Sequence, residues 1–209
     1  MSISRNIKTL SGPSEYIYKE KGSEFIAKSF PVKSDNSILT YLDETKKKYY
    51  DASHHCYAFR LKDESFRYSD AGEPGGTAGI RILNAIDHFE IKDILVIVIR
   101  YFGGTKLGIG PLGKAYYRSV ELLLKGCTLQ EERPFRKVTV ICEFSHISLV
   151  HRELSNNSSL IENIDYGENV KFTSLIPSEN VEKCIRELND SGKGKISLIT
   201  EQELIYHNI

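Results

Sequence analysis

The chain has 209 residues, of which 40% are hydrophobic and 27% are charged, and its formal net charge is zero. This composition is that of an ordinary globular protein, and the length accommodates two domains on a prior of roughly 100–200 residues each. No apolar run approaches the roughly 20 residues of a transmembrane helix. The N-terminus, with Arg5 and Lys8, has no apolar segment typical of a secretory signal. We therefore expect a cytoplasmic protein without a membrane partner.

The first part of the chain alternates between strand and helix patterns. Residues 15–21 and 23–32 predict two strands of a hairpin that turns at Lys21 and Gly22. Residues 94–102 are uniformly apolar, which is typical of a buried strand. The remaining predicted elements, in chain order, are a helix at 34–50, strands at 54–61 and 65–68, and helices at 77–89 and 111–124.

A second domain is predicted after Gly126 and the charged stretch at residues 130–134, which gives domains at 1–130 and 131–209. The order βαββαβ within about 75 residues is that of a ferredoxin-like domain. Its predicted elements are a strand at 135–144, a helix at 147–156, strands at 160–166 and 169–177, a helix at 178–189 and a strand at 195–205. The fold class is therefore α+β.

Charge is distributed unevenly between these parts. Residues 1–130 contain 19 Lys and Arg against 15 Asp and Glu, whereas residues 131–209 contain 9 against 13. The first domain is therefore the part that could face an anion such as nucleic acid, although the surplus is small for a strong nonspecific binder.

The cysteines do not form a recognisable cluster. None of the four belongs to a C-x-x-C pair, which argues against a disulfide framework and against a thiolate zinc site. We expect free, mostly buried cysteines and predict neither a metal nor a cofactor.

The first of three unusual segments is residues 51–60, which contains two adjacent histidines and Arg60. Neighbouring side chains on a strand face opposite ways, so His54 and His55 do not readily bind one metal together. A functional histidine would be one of the two, with a partner from another segment. The alternative is a hydrogen-bonded histidine that holds a loop in place.

The second segment, residues 69–79, combines two acids with four glycines and a proline between a strand and a helix. It predicts a tightly shaped loop. Thr77 is predicted to cap the helix that follows. Asp70 and Glu73 could accept hydrogen bonds, bind a hard cation or fix the loop, and the last role is favoured because two carboxylates alone are a weak metal site.

The third segment, residues 100–111, joins a buried strand to a helix through four glycines. Backbone N–H groups at such a junction can hold an anion. Alternatively, the glycines allow strand, loop and helix to pack closely. Neither nucleotide-binding glycine motif is present. The candidate anion- or nucleic-acid-binding residues are Arg100, Gly103, Gly104, Lys106, Gly108 and Lys114.

Together the three segments resemble the IMPACT/YigZ family. The resemblance covers about residues 15–125 and rests on four stretches: His54–Arg60 (HHCYAFR), Ser69–Pro74 (SDAGEP), Gly76–Gly79 (GTAG) and Arg100–Gly108 (RYFGGTKLG). Family members often carry a second acid at the position of Ala71, Ser at Gly75, Gly at Pro111 and Arg at Lys114. The missing acid weakens a metal site, and Lys114 lacks the bidentate geometry that Arg offers to phosphate.

The resemblance implies a fold for both domains. The first would be a two-layer domain similar to those of small-subunit ribosomal proteins and translational GTPases, with a left-handed βαβ crossover. The second would be similar to the ferredoxin-like domain of elongation factors. Eukaryotic relatives are regulators of translation.

Three functions remain open. The expected one is a nonenzymatic regulator whose partners are RNA, the ribosome or translation factors. The alternative is a hydrolase-like enzyme for a small molecule. In it, His54 or His55 would be the acid/base, Asp70 and Glu73 would orient it, and residues 103–110 would hold a phosphate or oxyanion. A third is a protein–protein adaptor that uses the acidic second domain.

Overall fold

The computed structural model describes residues 5–208. They form two compact units, one of residues 7–130 and the other of residues 131–208 together with residues 5–6. Each unit has its own hydrophobic core.

The first unit is built on a five-stranded antiparallel sheet of order β2-β3-β6-β4-β5. Its elements in chain order are β1 (Ile7–Leu10), β2 (Ser14–Glu20), β3 (Ser23–Pro31), α1 (Asp35–Lys48), β4 (His54–Arg60), β5 (Phe66–Ser69), α2 (Gly79–Phe89), β6 (Ile94–Tyr101) and α3 (Ile109–Lys125). The predicted hairpin is present, and Lys21 and Gly22 both have the positive φ that a tight two-residue turn requires. The short strand β1 was not predicted.

Both faces of this sheet are covered. In β6, Ile94, Val96 and Val98 belong to the core shared with α2 and α3, whereas Leu95, Ile97 and Ile99 pack with Ile38 and Leu42 of α1. The uniformly apolar sequence of β6 follows from this double burial, because successive side chains of a strand face opposite ways. The two expected layers are the sheet and the α2–α3 layer, and α1 adds a third on the opposite face.

The strand pairing also requires one left-handed crossover. The connections β3-α1-β4 and β5-α2-β6 each join parallel strands that have one strand between them. The strands of the first connection run opposite to those of the second, and the two connections step across the sheet in opposite directions. Together these two differences amount to a half-turn within the plane of the sheet, which does not change the hand of a crossover. Because their helices also lie on opposite faces, the crossovers have opposite hands. One of them is therefore left-handed, against the usual right-handed rule.

The second unit is a four-stranded antiparallel sheet of order β10-β7-β9-β8, the ferredoxin-like plan expected from the sequence. Its elements are β7 (Leu129–Cys142), α4 (Ile147–Asn156), β8 (Leu160–Tyr166), β9 (Val170–Pro177), α5 (Val181–Gly192) and β10 (Ile196–Asn208). The charged stretch at residues 130–134, where the sequence predicts the boundary between the two domains, lies within the continuous strand β7. There Arg133 and Pro134 pair with His207 and Tyr206 of β10.

All four cysteines are free, and three of them (Cys56, Cys142 and Cys184) are buried, as predicted. Within residues 5–208, no helix combines the length and apolar character that crossing a membrane requires.

Candidate functional site

Asp70 shapes the loop between β5 and α2 by accepting hydrogen bonds from backbone N–H groups that lie six to nine residues later in the chain. Its Oδ1 accepts from the N–H groups of Ala78 and Gly79 at 2.9 and 2.8 Å, and its Oδ2 accepts from Gly76 at 2.9 Å. Desolvation alone would raise the pKa of Asp70, but these three N–H groups together lower it below its ordinary value. Asp70 therefore caps α2 across the loop and does not contact a histidine.

Thr77 does not cap α2, contrary to the sequence prediction. The helix begins at Gly79 and has no side-chain cap at Ala78. The Thr77 hydroxyl instead donates to the carbonyl of Pro74 at 2.6 Å, within the loop. The reason is the carboxylate of Asp70, which already occupies the N–H groups that a threonine cap would use.

Glu73 lies in a buried polar cluster with Arg100 and Tyr116. Its Oε1 accepts from Arg100 Nη1 at 2.6 Å and from the Tyr116 hydroxyl at 2.8 Å. Arg100 Nη2 donates in turn to the Ser23 hydroxyl at 3.2 Å. Burial, together with the neighbouring Cys56 and Glu73, raises the pKa of Tyr116, so its hydroxyl stays a donor. The cluster joins the second segment to β6, α3 and β3.

The prediction that Arg100 offers charge to nucleic acid is therefore wrong. The arginine is 5% exposed, and its guanidinium lies against Phe25 and Phe102. A charge in this position is already neutralised by Glu73 and is separated from solvent. The sequence could not reveal Ser23 and Tyr116 as its neighbours, because they come from distant parts of the chain.

The two histidines face opposite sides of the sheet, as predicted, and they have different partners. His54 donates from Nδ1 to the carbonyl of Ala71 at 2.9 Å, which leaves Nε2 facing Glu73 Oε2 at 3.9 Å, beyond hydrogen-bond distance. His55 Nε2 lies 3.0 Å from the carbonyl of Tyr49, and burial lowers the pKa of His55. Neither Asp70 nor Glu73 forms a hydrogen bond with a histidine ring, and the nearest approach to the acid/base arrangement of the enzyme alternative is the 3.9 Å between His54 and Glu73.

Arg60 lies at the other end of β4 from His54 and belongs to a separate ion-pair group. It donates from Nε and Nη2 to the carboxylate of Asp87, at 2.9 Å and 2.7 Å, and its guanidinium stacks on Phe66. The structure thus brings together His54 and Glu73 from the predicted surface, but not His55 or Arg60.

The glycine-rich loop after β6 combines close packing with an exposed tip. A Cβ on Gly103 would lie 1.9 Å from the carbonyl carbon of Gly22, so the loop packs directly against the β2–β3 turn. Gly104 and Gly108 both have a φ of +83°. Lys106 between them is exposed. Close packing therefore accounts for Gly103, and positive φ accounts for the other two glycines.

A cleft of about 680 Å³ lies where β2, α2 and α3 meet. Three cations line it, Arg81 of α2 and Lys114 and Arg118 of α3. Its lining also includes Tyr18, Glu20, Pro111 and Tyr117. Lys114 is the residue of the predicted anion-binding set that lies in this cleft. The sequence signal for a second cation was the i, i+4 spacing of Lys114 and Arg118 on one helix face, whereas Arg81 is brought in by the packing of α2 on α3.

The charges of this cleft are only partly neutralised. Arg118 pairs with Glu121 at 2.6 Å. Arg81 and Lys114 are both exposed, and neither has an ion-pair or hydrogen-bond partner among residues 5–208. Arg81 lies over Gly113, where a Cβ would approach its Nε to 3.2 Å. The cleft is therefore a surface on which an anion would meet two unpaired cations.

Within residues 5–208, no three His, Cys, Asp or Glu side chains come close enough together to hold a metal ion.

The fold and these sites define a two-domain α+β protein whose two parts match two family models. The Impact N-terminal domain matches residues 21–124, and a domain of unknown function (DUF1949) matches residues 140–195. The chain is 31% identical to IMPACT family member YvyE of Bacillus subtilis (strain 168) over 186 residues, which cover 88% of this chain and 85% of that protein. The chain belongs to the IMPACT family, as its motifs predicted.

Other relatives agree with this assignment. IMPACT family member YigZ of Escherichia coli (strain K12) is 29% identical over 197 residues, covering 92% of this chain and 97% of that protein. Protein IMPACT of Homo sapiens is 34% identical over 95 residues, but these are 43% of this chain and 29% of that protein. A solved structure described as the crystal structure of an hypothetical protein superposes with a TM-score of 0.69 at 27% identity, covering 96% of this chain and all of that one.

Proposed function

We propose that the protein is a cytoplasmic, nonenzymatic regulator that binds RNA of the translation machinery through the cleft between β2, α2 and α3. The observation that carries the proposal is the placement of Arg81 and Lys114 in one cleft, both exposed and without acidic partners among residues 5–208. Unpaired cations attract phosphate, which supplies much of the affinity of nucleic-acid binding.

The aromatic lining of the cleft supports the same function. Tyr117 of α3 and Tyr18 of β2 are both half-buried residues that line the cleft. Aromatic rings beside a cationic track are the usual platform for bases of single-stranded nucleic acid. Family membership points to translation by analogy alone, so the proposal rests on the cleft.

The enzyme alternative has less support in the geometry. Asp70 is occupied by three backbone N–H groups, and Glu73 Oε1 by Arg100 and Tyr116. His54 Nε2 lies 3.9 Å from Glu73 Oε2, beyond hydrogen-bond distance.

The test is a salt titration of binding to single-stranded RNA, duplex RNA and purified ribosomes, comparing the wild type with a double Arg81→Ala and Lys114→Ala variant. If two phosphate contacts are lost, the slope of log affinity against log salt should flatten by about 1.4 for single-stranded RNA.

The matched control removes the same amount of positive charge by replacing two exposed cations elsewhere in the domain. Lys46→Ala with Lys47→Ala alters α1, which covers the opposite face of the sheet. It should leave the slope near that of the wild type. An equal loss of affinity in the two double variants would show that binding responds to net charge alone. Absence of binding by the wild type at about 50 mM salt, where electrostatic affinity is strongest, would exclude the proposal.

A further inference from the structure

Glu20 is an acid in the wall of a cleft that three cations also line. It is half-buried at the end of β2. Its Oε2 accepts a hydrogen bond from the Tyr18 hydroxyl at 2.8 Å. Among residues 5–208, Glu20 forms no ion pair with Lys or Arg, and its Oε1 has no partner. The nearby Arg118 pairs with Glu121 instead.

An unneutralised carboxylate is unfavourable in a site that binds phosphate alone, because it would repel the ligand. It is suited to a ligand that brings a hydrogen-bond donor next to its phosphate. A ribose hydroxyl is such a donor, and a carboxylate that accepts from a ribose 2′-hydroxyl is a recurring way of recognising nucleotides. The 2′-hydroxyl is also the group by which a protein distinguishes RNA from DNA.

We propose that this cleft binds a ribonucleotide unit, with the phosphate held by Arg81 and Lys114 and a ribose hydroxyl donating to Glu20. The inference rests on the proposed function and adds to it the choice of ribose over deoxyribose. Such a unit comes from an RNA strand or from a free nucleotide, and the two sources share the chemistry that the cleft recognises.

Tyr18 contributes by orienting the carboxylate. The hydrogen bond from its hydroxyl to Glu20 raises the pKa of Tyr18, so the hydroxyl remains a donor at neutral pH. The tyrosine ring is held in turn against Phe25 of β3, with ring centroids 6.2 Å apart. One carboxylate oxygen is thereby fixed, and the other is left for the ligand.

The experiment compares binding of a single-stranded RNA with that of its 2′-deoxy counterpart of the same bases, at one salt concentration. A hydrogen bond to a charged acceptor corresponds to a preference of about ten-fold for RNA. Glu20→Ala should bring the ratio of the two dissociation constants close to one. It should not weaken binding of the 2′-deoxy strand, because removing a negative charge favours any anion.

The control is Glu121→Ala, which removes the same charge from α3 beside Arg118 but does not line the cleft. It should shift both affinities together and leave their ratio unchanged. A second pair of probes, a ribonucleoside 5′-monophosphate and its 2′-deoxy form, distinguishes a free nucleotide from a strand.

The outcomes separate the two proposals. In one outcome, binding of RNA and DNA depends on Arg81 and Lys114, but the ratio of the two dissociation constants is the same in the wild type and in Glu20→Ala. This outcome would overturn the ribose assignment and leave the RNA-binding function intact. Binding of the monophosphate with a Glu20-dependent preference for ribose, without binding of a strand, would support the ribose assignment and overturn the RNA-binding function. Absence of binding by any probe would overturn both.

Discussion

Arg100 donates from Nη1 to Oε1 of Glu73 at 2.6 Å, and the two side chains are 6% and 4% exposed. They come from two different motifs of the family, the strand β6 and the loop before α2. Because Tyr116 donates to the same carboxylate oxygen, the pair also connects both motifs to α3. Arg100 and Glu73 thus stabilise one another inside the domain, whereas Lys106, in the same stretch as Arg100, faces solvent.

Removing Arg100 alone should destabilise the protein strongly. An Arg100→Met substitution leaves the carboxylate of Glu73 buried without its cation, which typically costs about 3–5 kcal/mol. Urea denaturation followed by circular dichroism measures the change. The double substitution Arg100→Met with Glu73→Gln should be less destabilising than Arg100→Met alone. A single variant as stable as the wild type would contradict the account of the pair.

Asp70 should make the stability of the first domain depend on pH in the acid range. Its pKa in the folded state is lowered below the ordinary value of 3.8, so its contribution is fully present above that value and is lost as pH falls through the lower, folded pKa. Asp70→Asn replaces a charged acceptor by a neutral one and should lower the free energy of unfolding by about 1 kcal/mol near pH 7. The difference from wild type should shrink as pH falls below about 4. Parallel stability curves between pH 7 and pH 3 would contradict this role.

Gly103 should tolerate no side chain, whereas Gly110 should tolerate one. A Cβ at Gly103 would lie 1.9 Å from the backbone of Gly22, so Gly103→Ala must displace the β2–β3 turn or the loop after β6. Such overpacking costs about 1–3 kcal/mol or more. Gly110, in the first turn of α3, has no atom within 4 Å of the same position. Gly110→Ala is the matched control, and thermal unfolding of the two variants should differ accordingly. Equal melting temperatures would show that the loop yields without cost.

The cysteines should differ in reactivity towards a thiol reagent. Burial raises the pKa of the Cys56 thiol to about 12 and that of Cys184 to about 11, so the reactive thiolate is scarce at both. Cys127 is half-buried. Iodoacetamide at about pH 8, where an ordinary thiol is partly ionised, should therefore label Cys127 first in the native protein, as measured by mass spectrometry of the digested chain. Equal labelling of Cys56 and Cys127 would indicate that the core around Cys56 opens readily.

Most elements could be predicted because their signals are local. The hairpin at Lys21 and Gly22, the helix after Ser34 and the uniformly apolar β6 are each indicated by a pattern within one segment. The strand β1 escaped prediction because its four residues owe their conformation to neighbours distant in sequence. They bridge at Ile91 and lie beside Thr128, to which Ser11 donates a hydrogen bond. The start of α2 was misplaced for a related reason, since its cap comes from Asp70 and not from Thr77.

The candidate site was predicted in part. The motifs indicated that His54, Asp70, Glu73 and the glycine-rich loop belong near one another, and the structure brings His54 to within 3.9 Å of Glu73. The role of Arg100 was misassigned because a sequence does not reveal which charges neutralise each other. Arg81 was missed because its relation to Lys114 exists only once α2 packs on α3.

By itself the sequence determined the family, the order of the elements and the opposite facing of His54 and His55, since hydrophobic periodicity and glycine placement are properties of short segments. Tertiary structure alone decided which charges are buried in pairs, such as Glu73 with Arg100, and which are left facing solvent, such as Arg81 and Lys114. The physical reason is that the effect of a charge depends on its desolvation and on its nearest partner. Both are set by segments that lie far apart in the chain and meet only in the folded domain.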